Sequence, residues 1–119
     1  LILVTKGDVF DQERKLAASG LAEYFVAIEI VTDKNPATYA RIFERHTDGP
    51  THTVMVGNSL RSDILPALAA GGYAVHVPHD LTWSYEHAEA PVNEPRYASI
   101  AHLGELAEAL ARFETAGPP

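Results

Sequence analysis

The sequence predicts an α/β domain, in which a three-layer, Rossmann-like parallel sheet carries helices on both faces over residues 1–119. Two observations support this fold class. Short apolar, β-type runs alternate with helical segments along most of the chain, and such alternation favours parallel strands joined by right-handed crossovers. Hydrophobic residues make up 46% of the sequence, which is enough for the core of one small domain.

In the first half of the chain, two predicted strands alternate with two predicted helices. Residues 1–5, LILVT, form a short apolar strand that stops at the turn signal KGD. Residues 11–19 are rich in helix formers and precede a glycine of the kind that closes helices. Residues 24–32, YFVAIEIVT, alternate apolar side chains and predict the second strand. The next helix is expected to start at Asn35 as N-cap, with Pro36 in its first turn.

The second half predicts two more strands and two more helices. The strands cover residues 52–57 and 73–77, and a helix over 63–70 lies between them. Residues 78–97 form a long loop that holds three of the eight prolines, and the last helix covers 103–113. The residues expected to face the core are Ile64 and Leu68 in the first of these helices, and Leu103, Leu106, Leu110 and Phe113 in the second.

Charge and composition exclude several function classes. The chain has 9 basic and 16 acidic residues and a formal net charge of -7, which argues against a nucleic-acid partner. It contains no cysteine, so disulfide, zinc-thiolate and thiol-nucleophile chemistry are excluded. No apolar run reaches the ~20 residues of a membrane span, and the first residues lack the features of a signal peptide. We therefore expect a soluble, cytoplasmic protein with no membrane partner.

Polar residues follow each predicted strand at its carboxyl end, where ligands bind in open parallel sheets. A hydroxyl group, an ammonium group and backbone N–H groups suit the oxygens of a phosphate, whereas amide and carboxylate oxygens suit Mg²⁺. These residues therefore predict a site for a small phosphorylated molecule and Mg²⁺. They are Thr5, Lys6, Gly7 and Asp8; Thr32, Asp33 and Lys34; Gly57, Asn58 and Ser59; and Pro78 and His79.

Three of these segments resemble motifs of the haloacid dehalogenase-like hydrolase superfamily, most of whose members are phosphatases. LILVTKGD is similar to its second motif, with Thr5 at the Thr or Ser position. VTDKNPATYARIFERH is similar to the third, with Lys34 at the phosphate-binding lysine. VMVGNSLRSDILPALAAGG is similar to the fourth, with Asn58 and Asp63 at the two acidic, metal-binding positions. The resemblance covers about the first 77 residues, and it identifies the chain as the C-terminal part of such a core domain.

The resemblance implies a mechanism and a role for each matching residue. A phosphoryl group would be transferred to an aspartate, and water would then hydrolyse the aspartyl-phosphate with the help of Mg²⁺. Thr5 and Lys34 would be catalytic, and Lys6 and Gly7 would join them in binding the substrate. Asn58 and Asp63 would hold the metal. The substrate would be a small phosphorylated metabolite, selected in this superfamily by a cap that has no counterpart here.

The chain departs from the family pattern in two respects. The family's nucleophile is an aspartate in a DxD-type motif on an earlier strand, and Asp8 and Asp11 do not replace it because they follow the second-motif strand. Asn58 stands where the family usually has aspartate, and a neutral amide is expected to hold Mg²⁺ less tightly. Metal-independent hydrolytic dehalogenation and a non-catalytic, truncated binding module therefore remain alternatives to the phosphatase.

Simpler structural roles compete with some of these assignments. Asp63 could cap or charge-complement the helix over 63–70, and Asn58 could be a turn residue. A metal site formed by His76, His79 and His87 is not favoured because no firm ligand spacing is present. Trp83 and Tyr85 are expected to pack the long loop rather than to bind substrate.

The fold that the sequence resembles has one more strand, which lies between the strands at 1–5 and 52–57. Without it, both would be unpaired edges, and unpaired backbone groups that are buried cost about 1–3 kcal/mol each. We therefore expect the sheet to be incomplete at the N-terminus. The missing first strand would be supplied by an upstream segment or by another copy of the chain.

Overall fold

The computed structural model describes residues 1–78 and 88–116. These residues fall into two compact units, Leu1–Lys34 and a second unit that begins at Asn35. Each unit contains its own parallel sheet. The mixture of parallel strands and helices confirms the predicted α/β class.

The first unit consists of two parallel strands and one helix. Strand β1 (Ile2–Lys6) pairs with β2 (Ala27–Val31), and helix α1 (Val9–Ser19) connects them together with a 3₁₀ turn (Ala22–Tyr24). The sheet register places Thr5 opposite Ile30. Helix α1 starts two residues earlier than predicted, because the side chain of Asp8 caps it by accepting the backbone N–H of Asp11.

The prediction for the second strand was too long at its start. Tyr24 ends the 3₁₀ turn, and Val26 precedes β2 with 83% of its surface exposed. The alternating residues Val26, Ile28 and Ile30 therefore do not form one buried face of the strand, because Val26 is exposed. Since β2 contains Ala27 to Val31 only, the period-two pattern extends beyond the strand that it predicts.

The second unit contains a three-stranded parallel sheet with the order β3, β4, β5. The strands cover Val54–Gly57, Tyr73–His76 and Tyr97–Ser99. The helices are α2 (Pro36–His46), α3 (Leu65–Ala69) and α4 (Leu106–Ala116), with a π turn at Leu60–Ile64 before α3 and 3₁₀ turns at Pro50–His52 and Leu103–Glu105.

Two apolar clusters cover the two faces of this sheet. Val75 packs with Ala98, Ile100 and Ala109, and so joins the sheet to α4. The neighbouring residue, Ala74, points to the other face and packs with Ile64 and Leu68. The second unit therefore has three layers, as the sequence predicted, and Ile64 and Leu68 face its core.

Helix α2 begins where its sequence predicts. Asn35 accepts the backbone N–H of Thr38 at 2.9 Å, and Pro36 occupies the first turn. The buried face of the helix includes Tyr39, and it consists of Thr38, Tyr39, Ile42 and Phe43. This helix matters for function because Tyr39 reaches the residues that follow β3.

Three predictions for the second unit were wrong in detail. Strand β5 lies at the end of the segment predicted to be a loop, where Tyr97, Ala98 and Ser99 are too few to show a periodic pattern. The helix predicted over 63–70 is a π turn followed by the short α3. Leu103 is 64% exposed because it starts a 3₁₀ turn rather than α4, so the apolar stripe of the last helix starts at Leu106.

Strand pairing bears on the expected additional strand. Among the described residues, β1 has β2 as its strand partner and β3 has β4. Each sheet thus has an edge at the strand where the sequence predicted a missing neighbour. That such a neighbour exists, and that an upstream segment or another copy supplies it, stays a prediction. None of the helices in the described part of the chain is long and apolar enough to cross a membrane.

Candidate functional site

The carboxyl ends of β3 and β4 carry the residues of the fourth motif. Strand β3 ends at Gly57, which lies opposite His76 at the end of β4. The exposed Asn58 and the buried Ser59 follow, and the π turn then places Asp63 back against the end of β3. The structure therefore places Asp63 against the turn that starts at Asn58, at the edge where a parallel sheet binds ligands.

Gly57 explains how a carboxylate can occupy this position. Asp63 is only 3% exposed, and a Cβ atom added to Gly57 would lie 2.6 Å from the Cβ atom of Asp63. No ordinary side chain can be accommodated at such a separation without movement of the backbone. The strand ends in glycine because the acidic side chain fills the space next to it.

Hydrogen bonds hold the Asp63 carboxylate in one orientation. The backbone N–H of Ser59 donates to Oδ2 at 3.2 Å. The hydroxyl of Tyr39 lies 3.4 Å from Oδ1, and it donates to the carbonyl of Ser62 at the shorter distance of 3.0 Å. Because Asp63 is fixed by backbone and side-chain groups from two elements, it is a preorganised oxygen donor.

Tyr39 is a buried, neutral hydrogen-bond donor. Burial raises the pKa of Tyr39 far above its usual value, and the negative charge of Asp63 raises it further. The phenol therefore stays protonated and can donate a hydrogen bond near neutral pH. Sequence analysis could not find the contact between Tyr39 and Asp63, which lie 24 residues apart in the sequence.

Ser59, rather than Asp63, caps the turn that follows β3. The Ser59 side chain accepts the backbone N–H of Ser62 at 3.0 Å, and the backbone carbonyl of Ser59 accepts those of Asp63 and Ile64. The alternative in which Asp63 serves as the N-cap of this helix is therefore wrong. Asp63 lies inside the π turn, and π turns occur frequently at functional sites.

Removal of the Tyr39 hydroxyl is expected to weaken this arrangement. Tyr39→Phe leaves the Ser62 carbonyl without its donor, so we expect the free energy of unfolding to fall by about 1–2 kcal/mol. Urea denaturation measures the change, and Tyr24→Phe at a position that is 62% exposed is the matched control. Equal effects of the two substitutions would contradict this role.

The predicted residues of the first unit lie at or just after the carboxyl ends of β1 and β2. Thr5, Lys6 and Gly7 are consecutive at the end of β1, and Lys34 follows the neighbouring end of β2 by three residues. The Thr5 hydroxyl donates to Gln12 Oε1 at 3.0 Å, and Gln12 Nε2 donates to the carbonyl of Lys6 at 3.4 Å. Helix α1 therefore braces this segment through Gln12, which sequence analysis missed.

Lys6 and Gly7, at the end of this segment, differ in their surroundings. Lys6 lies 4.0 Å from Asp33, and both side chains are mostly exposed, so this ion pair adds little stability. Gly7 adopts a φ of 146°, and a Cβ atom there would lie 2.7 Å from Gln12 Nε2. Glycine at this position lets the backbone pass close to Gln12.

Asp8 and Asp11 are engaged in local structure. Asp8 caps α1, while Asp11 forms ion pairs with Arg14 at 2.7 Å and Lys15 at 3.2 Å. Hydrogen bonds from Lys15 and Arg14 lower the pKa of Asp11. Both carboxylates are therefore occupied by local contacts, which does not suit a nucleophile.

The donor chemistry at the end of β3 fits a hard cation, although it does not complete a coordination shell. Asp63 offers a carboxylate and Asn58 an amide oxygen, and Mg²⁺ commonly binds proteins through one or two such groups while it keeps several waters. Within residues 1–78 and 88–116, no cluster of three or more His, Cys, Asp or Glu side chains is present. His79, Trp83, Tyr85 and His87 lie outside the described residues.

Comparisons with known proteins identify the family of this chain. The family model for HAD-hydrolase-like proteins matches residues 32–106. The chain belongs to this family of hydrolases. A search of curated proteins gives no match.

Solved structures of the family share this fold. A haloacid dehalogenase-like family hydrolase from Xanthomonas campestris is 36% identical, with a TM-score of 0.84 over 97% of this chain and 48% of its own. The putative HAD-hydrolase YfnB from Bacillus subtilis, bound to magnesium, is 28% identical, with a TM-score of 0.74 over 92% of this chain and 48% of its own. The present chain thus spans about half the length of these proteins.

Two other structures with similar likeness have different described activities. A HAD phosphatase from Thermococcus onnurineus is 29% identical, with a TM-score of 0.71 over 92% of this chain and 49% of its own. A 2-haloacid dehalogenase from Pseudomonas syringae pv. Tomato is 27% identical, with a TM-score of 0.68 over 95% of this chain and 46% of its own. Sequence identity and TM-score therefore do not distinguish a phosphatase from a dehalogenase. The site residues must be considered instead.

Proposed function

We propose that the chain is part of a Mg²⁺-dependent phosphatase that acts on a small phosphorylated metabolite. The observation that carries this proposal is the buried Asp63 carboxylate, fixed against Gly57 at the carboxyl end of β3 and adjacent to the Asn58 turn. A preorganised oxygen donor at this position suits a hard cation. The magnesium found in the Bacillus subtilis hydrolase supports the same choice of metal.

Each proposed site residue has a chemical role that its position supports. Thr5 would donate its hydroxyl proton to an oxygen of the transferring phosphoryl group, in place of its present bond to Gln12. Lys34 would neutralise charge on the phosphoryl oxygens, and Lys6 and Gly7 would contribute a cation and a backbone N–H group. Asn58 and Asp63 would hold Mg²⁺ directly or through water. When bound, the metal supplies positive charge that stabilises the transferring phosphoryl group.

The covalent step would use an aspartate that is not assigned to any residue of this chain. Its carboxylate oxygen would attack phosphorus while the bond between phosphorus and the leaving oxygen breaks, and the leaving group would take up a proton. Water would then hydrolyse the aspartyl-phosphate to inorganic phosphate and free aspartate. Asp8 and Asp11 are not the nucleophile, since they cap α1 and pair with its basic residues.

Hydrolytic dehalogenation is the second candidate, and Asn58 is the observation that favours it. A neutral amide in place of a carboxylate suits chemistry without a metal. The full-length protein should therefore be assayed for phosphate release from p-nitrophenyl phosphate with and without Mg²⁺, and for halide release from 2-chloropropionate. Mg²⁺-dependent phosphate release supports the phosphatase. Halide release that is unaffected by a chelator would overturn it.

Substitution of Asn58 by aspartate tests whether this residue faces the metal. Asn58→Asp adds a negative charge at an exposed position next to Asp63, so the half-saturating Mg²⁺ concentration should fall by about 3- to 10-fold. The measurement is phosphatase activity of the full-length protein titrated with Mg²⁺. Asn93→Asp, another exposed position, is the control for added charge. An unchanged or higher half-saturation would mean that Asn58 does not contact the metal.

A further inference from the structure

His76 occupies a rigid position at the end of the central strand of its sheet. Its carbonyl accepts the backbone N–H of Ile100 from the β5 side at 2.9 Å. On the β3 side, the backbone N–H of Val77 donates to the carbonyl of Gly57 at 2.9 Å. Because both neighbouring strands hold this part of β4, the imidazole of His76 projects from a fixed base.

The imidazole extends the hydrogen-bond ladder beyond the end of β3. Its Nε2 atom lies 3.2 Å from the backbone carbonyl of Asn58, the residue that follows Gly57. A carbonyl can only accept, so Nε2 carries the hydrogen in this bond. The side chain of His76 thus binds the Asn58–Ser59 peptide group, which lies beyond the last backbone hydrogen bond between β3 and β4.

The same peptide group is bound from its other end by Asp63. The carbonyl of Asn58 and the N–H of Ser59 belong to one planar unit, and that N–H donates to Asp63 Oδ2 at 3.2 Å. Rotation of this unit would break both bonds together. It would also change the direction in which the Asn58 side chain leaves the backbone.

We infer that His76 is a positioning residue for the metal site, in that its bond to the Asn58–Ser59 peptide group orients both Asn58 and Asp63. The inference rests on the proposed function for the identity of the cation. In this role His76 acts through the peptide group that it binds, and not by direct contact with substrate or metal. Mutation of a group that orients a metal ligand through a hydrogen bond commonly lowers metal affinity or activity by ~10- to 100-fold.

Two substitutions separate the hydrogen bond from the bulk of the side chain. His76→Leu removes the donor, whereas His76→Gln keeps an N–H donor near the position of Nε2. His52→Leu is the matched control, since His52 is exposed and lies in the turn that precedes the opposite end of β3. Thermal unfolding of all variants shows whether the fold is retained.

The first measurement needs neither metal nor substrate. In the full-length protein labelled with ¹⁵N-serine, hydrogen exchange of the Ser59 amide should accelerate about fivefold or more in His76→Leu and return towards the wild-type rate in His76→Gln. His52→Leu should not change it. A Ser59 exchange rate that is equal in wild type and His76→Leu would overturn the inference.

The second measurement titrates Mg²⁺ and follows both the Ser59 amide shift and phosphate release. We expect half-saturation by the amide shift to rise by about tenfold in His76→Leu, with recovery in His76→Gln, while the KM for p-nitrophenyl phosphate at saturating Mg²⁺ stays within about twofold. Unchanged half-saturation in His76→Leu would overturn the inference and leave the phosphatase proposal intact. A magnesium-dependent shift in wild type whose half-saturation rises in His76→Leu, without phosphate release, would overturn the phosphatase and support the positioning role. The absence of any such shift in wild type would overturn both.

Discussion

Replacement of Lys34 by alanine is expected to lower the phosphatase turnover of the full-length protein by about 100-fold or more. The reason is electrostatic, because removal of one preorganised charge or donor from a transferring group commonly costs ~10²–10³ in rate. Steady-state assays with p-nitrophenyl phosphate at saturating Mg²⁺ measure the effect. Thermal unfolding of the variant shows whether the fold is retained, because Lys34 is half-buried.

A matched control distinguishes a specific role from a general loss of positive charge. Lys15→Ala removes a lysine from α1 that is 65% exposed and pairs with Asp11, and it should leave turnover unchanged. A Lys34→Ala variant that keeps more than about a third of wild-type turnover would contradict the assignment of Lys34 to phosphate binding. Loss of turnover in both variants would indicate that net charge, and not Lys34, matters.

Gly57→Ala is expected to destabilise the protein by about 1–3 kcal/mol and to weaken Mg²⁺ binding. The added Cβ atom would lie 2.6 Å from the Cβ atom of Asp63, and this is not the movable end of a flexible side chain. Either the end of β3 or the π turn must therefore shift. Urea denaturation gives the stability change, and titration of activity with Mg²⁺ gives the change in metal binding.

A double-mutant cycle identifies the cause of this destabilisation. In an Asp63→Gly background the obstructing atoms are absent, so Gly57→Ala should cost much less than in the wild type. The same cost in both backgrounds would show that Asp63 is not what excludes a side chain at position 57. Activity is not measured in this cycle, because Asp63 itself belongs to the proposed metal site.

Local signals made much of the fold predictable. The Asn35 cap and Pro36 set the start of α2, and both act within one helical turn, so no distant contact is needed to find them. The alternation of strands and helices likewise gave the parallel arrangement. Strand β5 was missed because three residues cannot show a period, and it is defined by pairing with β4 rather than by its own sequence.

The sequence named candidate site residues, but it could not give the contacts between them. Motif spacing and strand ends drew attention to Thr5, Lys34, Asn58 and Asp63, and their roles stay predictions. The contacts that organise the end of β3 join residues far apart in the sequence: His76 reaches Asn58 over 18 positions and Tyr39 reaches Asp63 over 24. Such pairs carry no local pattern, because they arise only when the strands and α2 have packed.

The π turn at Leu60–Ile64 has a consequence for comparing this protein with distant relatives. Its hydrogen bonds join Ser59 to Ile64 and Leu60 to Leu65, each one residue longer than in an α-helix. In evolutionary terms, it is equivalent to an insertion of one residue at the start of a helix. Alignment with a relative that has a regular helix there requires a single gap between Ser59 and α3. If the gap is omitted, a residue one position from the true equivalent of Asp63 is selected, and on a helix that residue points about 100° away.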